Sequence, residues 1–236
     1  MKYTIYVLLM ILPIVSLASG CQNVTESDQI TVDASDFLSL HPVISTMEKQ
    51  NLSDQEIEDL VYMREEEKLA RDVYTSLYNK WGQQIFSNIA QSEQTHTDSV
   101  RYIIERYGLE DPVKDETIGV FTNQDLQNLY NDLVKKGSVS LQDALIVGAT
   151  IEDLDIFDLN SAIARTDNQD IIEVYNNLTR GSRNHLRAFT KQLEKNGGSY
   201  EAQYLSSDEI NKILQSDSES GRMGAGMGRG SGNGKN

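Results

Sequence analysis

Six acidic or imidazole side chains have the types and spacing of metal ligands. They are Glu67, Glu93, His96, Glu152, Asp155 and His185. Glu93 and His96 lie three residues apart, which puts them on one face of a helix. Carboxylate oxygens combined with imidazole nitrogens suit iron or manganese better than zinc or copper. The sequence therefore predicts a site for two iron or manganese ions, with the second ion held less securely.

Each of these residues interrupts an otherwise apolar helical stripe. Around Glu67, for example, steps of three and four residues pass through Met63, Ala70 and Tyr74. An ionised carboxylate costs several kcal/mol in a core unless it is paired. Bound cations would remove that conflict, and the histidines would supply neutral nitrogen ligands.

The elements that must position these side chains are predicted to be helices, since proline is scarce and alternating apolar strands are absent. Four long helices are expected, with short connections inside each sequential pair and a long one between the pairs. The long helices are predicted from Ser53 or Asp54 to about Asn79, Gln84 to Tyr107, Ser140 to about Arg165, and Asn168 to Lys195. Shorter helices are predicted from Asn123 to Lys136 and after a Ser206 or Ser207 cap. This pattern indicates an all-α four-helix bundle with one long crossover that contains a short helix.

Two motifs resemble those of ferritins, bacterioferritins and rubrerythrins. In one, Glu67 is followed by Ala70 and Tyr74; the other is the Glu93-Gln94-Thr95-His96 sequence. Residues 58–210 also resemble a prokaryotic ferritin-like domain family of unknown function, especially over residues 65–72, 147–152 and 181–189. The resemblance implies a ferritin-like bundle, and its implied metal ligands are Glu67, Glu93, His96, Glu152 and His185.

The chain departs from the superfamily pattern at one position. The second Glu-x-x-His motif would place a glutamate at 182, but the residue there is Ser182. Asp155, one turn beyond Glu152, is the candidate substitute; without it the site would hold one metal tightly and a second weakly. The position of Tyr74 in the apolar stripe predicts a core residue. The alternative is a catalytic role, either as a hydrogen-bond partner of a ligand or as an electron relay.

Other interpretations of these residues stay open at this stage. Glu65 and Glu66 beside Glu67 could mark a solvated acidic face, as could the acidic run from Glu152 to Asp155. His185 on its own would be interpreted as a hydrogen-bonded core histidine.

The N-terminus predicts export. An apolar run precedes small residues and Cys21, which indicates a signal peptide over residues 1–20. Leu17 to Cys21 resembles a lipobox, so Cys21 is the predicted lipidation site and the protein is expected on the outer face of a cell-envelope membrane. Ordinary secretion with an incidental cysteine is the alternative. Because Cys21 is the single cysteine, the mature domain has no disulfide or thiolate ligand.

The segments outside the helical domain are predicted to lack a core. Residues 21–50 are expected to form a flexible tether, residues 51–215 the domain, and residues 216–236 a disordered glycine-rich tail. The net charge of −15 argues against nucleic acid as a partner. It also argues against electrostatic binding to anionic lipid, so the lipid alone would make the membrane contact.

Three functions fit these features. The first is a di-iron or di-manganese oxidoreductase acting on oxygen, peroxide or ferrous iron, with an external electron donor because the domain carries no redox cysteine. The second is a non-catalytic lipoprotein that sequesters metal. The third is a metal-free helical interaction module. A homodimer is compatible with each of them.

Overall fold

The structure, a computed structural model, describes residues 34–220. Over that range the chain has seven α-helices and no strand, which confirms the all-α part of the predicted fold class. In chain order the helices are α1 (Ala34–Thr46), α2 (Asp54–Trp81), α3 (Gln84–Tyr107), α4 (Gln124–Gly137), α5 (Leu141–Ile163), α6 (Gln169–Lys195) and α7 (Ser207–Gln215). None of them combines the length and the apolar character that crossing a bilayer would require.

The four long helices pack in two sequential pairs. Helix α2 lies along α3, and α5 lies along α6. The pairs also contact each other, α2 against α5 and α3 against α6, so that all four helices face a shared interior. The short helix α4 belongs to the long connection between the pairs and packs on α2 and α5.

Local signals determine where the helices begin and end. Ser53 caps α2 with a capping box, in which its side chain accepts from the Glu56 backbone N–H and Glu56 accepts from the Ser53 N–H. Gly82 ends α2 in the left-handed conformation, at φ 64°. Gly108 ends α3 in the same way. Because these signals are local, the predicted long helices agree with the observed ones to within about two residues at each end.

A buried ion pair on α2 holds the connection between α3 and α4. Lys68 Nζ lies 2.6 Å from Asp72 Oδ2, and neither side chain is exposed to solvent. The same ammonium donates to the backbone carbonyls of Thr117 and Val120 at 3.0 and 3.1 Å, and it lies over the ring of Phe121. Three donors therefore have three partners, which offsets the cost of burying the charge.

The neighbouring charged residues of α2 hold the same connection. Glu65 accepts the backbone N–H groups of Thr122 and Asn123 at 2.5 and 2.9 Å. The buried Arg64 side chain pairs with Glu116 at 3.0 Å. Glu65 of α2 is thus buried against the start of α4, where a negative charge is favourable. It does not belong to a solvated acidic face, which corrects that interpretation of the sequence.

The predicted tether is partly folded. Residues 34–46 form α1, and Leu40 and Ile44 join the hydrophobic core at the end of α3 and α6. The expectation of flexible coil is therefore wrong for this stretch. Leu40 and Ile44 are four residues apart and so share one helix face, which packs on the core.

The first residues of the predicted disordered tail make defined contacts. Glu219 pairs with Arg183 at 2.5 Å and with Arg187 at 2.8 Å, so residues 216–219 follow the surface of α6. These arginines hold the pKa of Glu219 at about 2. The signal peptide, Cys21 and the glycine-rich residues from 221 onward lie outside the described residues, and their predictions remain predictions.

Ile44→Ala tests whether α1 is part of the domain. Ile44 is fully buried, so we expect the free energy of unfolding to fall by about 2–4 kcal/mol. Val43→Ala is the matched control, since Val43 is 48% exposed and should change stability by less than about 0.5 kcal/mol. Equal effects in urea denaturation would show that α1 does not pack on the core.

Candidate metal centre

The six predicted ligands meet in the interior shared by the four long helices. Helix α2 supplies one of them, α3 two, α5 two and α6 one. All are buried, the most exposed being His96 at 6%. Those from α2, α3 and α6, together with Glu152 of α5, form two overlapping groups of three in which every ligand atom is within 4.8 Å of the others.

Glu93 belongs to both groups. Its Oε2 lies 2.7 Å from Nδ1 of His96, and its Oε1 lies 2.7 Å from Nδ1 of His185. Glu67 Oε2 completes the first group at 3.3 Å from His96 Nδ1. Glu152 Oε2 completes the second at 3.4 Å from His185 Nδ1. The arrangement is nearly symmetric about Glu93, with one carboxylate oxygen directed to each imidazole.

The opposite edges of the two imidazoles determine which nitrogen faces the acids. His185 Nε2 lies 3.0 Å from Ser92 Oγ, which leaves Nδ1 for the carboxylates. His96 Nε2 lies against the backbone of Gly181, so closely that a Cβ there would be 2.5 Å from it. The two rings stack with centroids 5.5 Å apart. Contacts behind the rings thus orient both Nδ1 atoms, as is usual for metal-binding histidines.

Several polar atoms facing this interior lack a partner outside the set of predicted ligands. Glu67 Oε1 and Asp155 Oδ1 have no hydrogen-bond partner among the described residues, and Glu93 Oε1, His96 Nδ1 and His185 Nδ1 meet only one another or a neighbouring carboxylate. Buried polar atoms without partners are costly, and convergent ones commonly mark a ligand site. The set contains both oxygen and nitrogen donors, so it fits a cation better than any apolar ligand.

The buried acids of this interior differ in their pKa values because their charged neighbours differ. Burial alone would raise the pKa of Glu93, but His96 and His185 on either side hold it below its usual range. Burial raises the pKa of Glu67 to about 7, with Glu93 adding repulsion and His96 opposing the rise. Burial lowers the pKa of His185, but Glu93 and Glu152 outweigh that and raise it to about 9. Carboxylates and imidazoles in this interior therefore hold protons that a cation would compete with.

Asp155 takes a position beside the groups of three and belongs to neither. Its Oδ2 accepts a hydrogen bond from Ser182 Oγ, so the acid lies beside the residue at which the ferritin-like resemblance would have glutamate. Burial raises the pKa of Asp155 well above its usual range, and Glu67 and Glu152 add to the rise. Asp155 thus lies next to the side chain of Ser182, and its Oδ1 has no hydrogen-bond partner among the described residues.

Tyr74 is attached directly to a predicted ligand. Its hydroxyl donates to Glu152 Oε1 at 2.5 Å and lies 3.3 Å from the Gly148 carbonyl oxygen. The ring is fully buried and packs against Phe189 with centroids 5.1 Å apart. Its hydroxyl therefore fixes one oxygen of Glu152 while the other faces His185.

The acidic run of α5 is buried, which corrects its interpretation as surface charge. Asp153 points away from the centre and accepts from the Tyr200 hydroxyl and from the backbone N–H groups of Gln203 and Leu205. Glu152 and Asp155 face the interior. Residues 147–156 of α5 are all buried, so acids close together in sequence can serve opposite faces of the helix, and charge alone did not reveal this.

Two residues that shape the centre were not identified from the sequence. Ser92 precedes Glu93 and resembles any polar helix residue. Gly181 carried a usable signal, since a glycine inside a helix costs about 1 kcal/mol relative to alanine and so calls for a reason. The close approach of the His96 ring supplies that reason.

A family described as an uncharacterized protein domain, DUF2202, matches residues 56–217. The chain belongs to this family. The matched residues include all six predicted ligands. The family's description assigns no activity. Membership of DUF2202 therefore shows what the chain is related to, and a function has to be argued from the geometry of the site.

A relative and its structure support the assignment to DUF2202. Uncharacterized protein MJ0754 of Methanocaldococcus jannaschii is 57% identical over 178 residues, which cover 75% of this chain and 96% of that protein. The crystal structure of hypothetical protein MJ0754 from Methanococcus jannaschii matches with a TM-score of 0.73 at 56% identity, covering 74% of this chain and 99% of that one.

Gly181→Ala tests the close approach of His96. The added Cβ must displace the ring, so we expect the free energy of unfolding to fall by about 1–3 kcal/mol. In a His96→Ala background the same change should instead raise stability by up to about 1 kcal/mol, because alanine is the better helix former. Thermal denaturation of the four proteins measures both effects, and an effect of the same sign in both backgrounds would contradict the contact.

Proposed function

We propose that this DUF2202 protein holds two metal ions in a ferritin-like four-helix bundle. Glu67, Glu93 and His96 would hold one ion, and Glu93, Glu152 and His185 the other. The position of Glu93 is the observation that carries this proposal, since each of its oxygens is 2.7 Å from a different imidazole. A shared carboxylate between two otherwise separate groups of donors suits a pair of cations better than a single one.

The donor set supports iron or manganese. Three carboxylates and two imidazoles converge without a buried lysine or arginine among them, and Asp155 adds a fourth carboxylate nearby. Hard oxygen donors with imidazole suit these metals, and the absence of thiolate argues against soft-metal ions. Two divalent cations would nearly balance the acids, which repel one another as they stand.

We propose oxidation–reduction of a small substrate, namely oxygen, peroxide or ferrous iron. The metal pair would supply the redox chemistry when bound. The protein supplies a dry interior, since all the ligands are at most 6% exposed and a large substrate could not reach them. Tyr74 holds a proton on its hydroxyl beside Glu152, where it can orient that ligand or pass a proton or electron. An external reductant would be needed, because Cys21 is the single cysteine.

Metal sequestration without turnover is the second candidate. Ser182 and Asp155 favour it, because Asp155 is tied to Ser182 and belongs to neither group of three. A centre with one carboxylate fewer than the superfamily pattern would hold its second ion weakly. A stable single ion would suit delivery better than oxidation chemistry.

Metal content tests the centre directly. The full chain purified without chelator should carry about two equivalents of iron or manganese, and Glu93→Gln should reduce this below one. Glu105→Gln, at a side chain that is 67% exposed, is the matched control and should retain the parent content. Chelation should lower the melting temperature of the parent and control but not of Glu93→Gln, since a ligand at 100 times its Kd adds about 2.7 kcal/mol.

The outcomes separate the candidate functions. Two equivalents with oxygen- or peroxide-dependent turnover would support the oxidoreductase, and Tyr74→Phe should then slow turnover while leaving the metal bound. Retained metal without turnover would favour sequestration. No metal in the parent, with an unchanged melting temperature on chelation, would leave a metal-free helical interaction module.

We also propose that this centre acts on the outer face of an envelope membrane, on the strength of the N-terminal sequence alone. Mass spectrometry of the mature protein should find a diacylglyceryl group on Cys21 as the first residue. An unmodified Cys21 in a soluble secreted chain would overturn the anchor and leave ordinary export.

A further inference from the structure

A second set of buried acids lies beside the proposed centre, between α2 and α5. Glu66 of α2 is 4% exposed and is within hydrogen-bonding reach of Asp158 of α5. Asp155 precedes Asp158 by three residues and so lies one turn away on the same face of α5. These acids are separate from the two groups of three that define the centre.

Three oxygens of this set lack a basic or backbone donor. Both carboxylate oxygens of Glu66 are buried with no neighbour in reach but the Asp158 carboxyl, and Asp155 Oδ1 has no hydrogen-bond partner among the described residues, although its Oδ2 accepts from Ser182. Glu66 therefore differs from its neighbour Glu65, which is satisfied by two backbone N–H groups. Adjacent buried carboxyl oxygens without a donor mark a place suited to a cation.

Burial increases from Asp158 toward the centre. Asp158 is half-buried, whereas Glu66 and Asp155 are at least 95% buried and Glu67 is 99% buried. Electrostatic coupling runs along the same order, from Asp158 to Glu66 and from Asp155 to Glu67. The acids thus form a continuous line of carboxyl groups from the surface to a proposed ligand.

One arginine lies near the outer end of this set. Arg165 pairs with Asp59 at 2.9 Å, and its charge opposes the rise that burial causes in the pKa of Asp158. Burial also raises the pKa of Tyr62 and of Tyr204, and the charges of Glu66 and Asp158 add to both rises. Farther in, neither carboxylate oxygen of Glu66 accepts a hydrogen bond from a lysine or arginine among the described residues.

We propose that Asp158, Glu66 and Asp155 form a staging site through which divalent cations reach the centre. The inference rests on the proposed metal centre, because the route leads to Glu67. An acidic path focuses the field and raises the local concentration of cations, which increases the rate of entry more than the final affinity. The acids of this set would hand the cation on, and those of the centre would keep it.

The rate of cobalt(II) loading tests the proposal, with free Co²⁺ added to the metal-free full chain and followed by stopped-flow absorbance. Asp158→Asn should slow loading about tenfold while the final number of bound ions stays at two. Glu66→Gln should slow it similarly, and the double variant should be no slower than about the slower single, because the two acids serve one route. Asp132→Asn removes the same charge from an exposed site on α4 and is the matched control.

Each outcome decides one point. Loading of Asp158→Asn at the parent rate would overturn the staging site, as would an equal slowing by Asp132→Asn, which would make the effect one of net charge. Slow loading combined with a loss of bound ions would show that Asp158 belongs to the centre itself and would also overturn it. A parent that binds no cobalt at equilibrium would instead refute the proposed centre, and the route with it.

Discussion

The concentration of negative charge in the interior is the constraint on which the rest of the structure depends. Glu67, Glu93, Glu152 and Asp155 converge where water is excluded, and His96 and His185 are the cationic groups that face them. An isolated carboxylate in such a place would cost several kcal/mol. The helices must therefore hold these side chains rigidly enough that protons or cations can bridge every neighbouring pair.

Helix α2 shows how one helix can carry buried charged side chains that face different neighbours. Residues 64–72 alternate between opposing tasks within little more than two turns. Arg64, Glu65, Lys68 and Asp72 fix the connection that follows α3, while Glu67 faces the centre and Glu66 faces α5. The connection in turn covers the outside of this stretch, so Arg64, Glu65, Lys68 and Asp72 are buried although they point away from the centre. Charge in this protein is structural as well as functional, and the two uses are interleaved.

The contacts behind the ligands are as specific as the ligands. Tyr74 engages Glu152, Ser92 engages His185, and the bare backbone of Gly181 admits the His96 ring. Such contacts fix which atom of each ligand faces inward and reduce the motion available to it. They come from three different helices, so the centre is held by the packing of the whole domain.

The sequence alone predicted the long helices and singled out the polar residues that converge in the interior. Capping residues and terminal glycines are local signals, which is why α2 and α3 were predicted nearly to the residue, and a polar side chain in an apolar stripe marks itself by periodicity. Only the tertiary structure decided whether the acidic residues next to them in the sequence are buried or exposed. Glu65, Glu66 and Asp153 are as acidic as any surface residue, and only the arrival of distant segments made them buried. The same holds for α1 and Glu219, whose order depends on contacts far along the chain that no local pattern encodes.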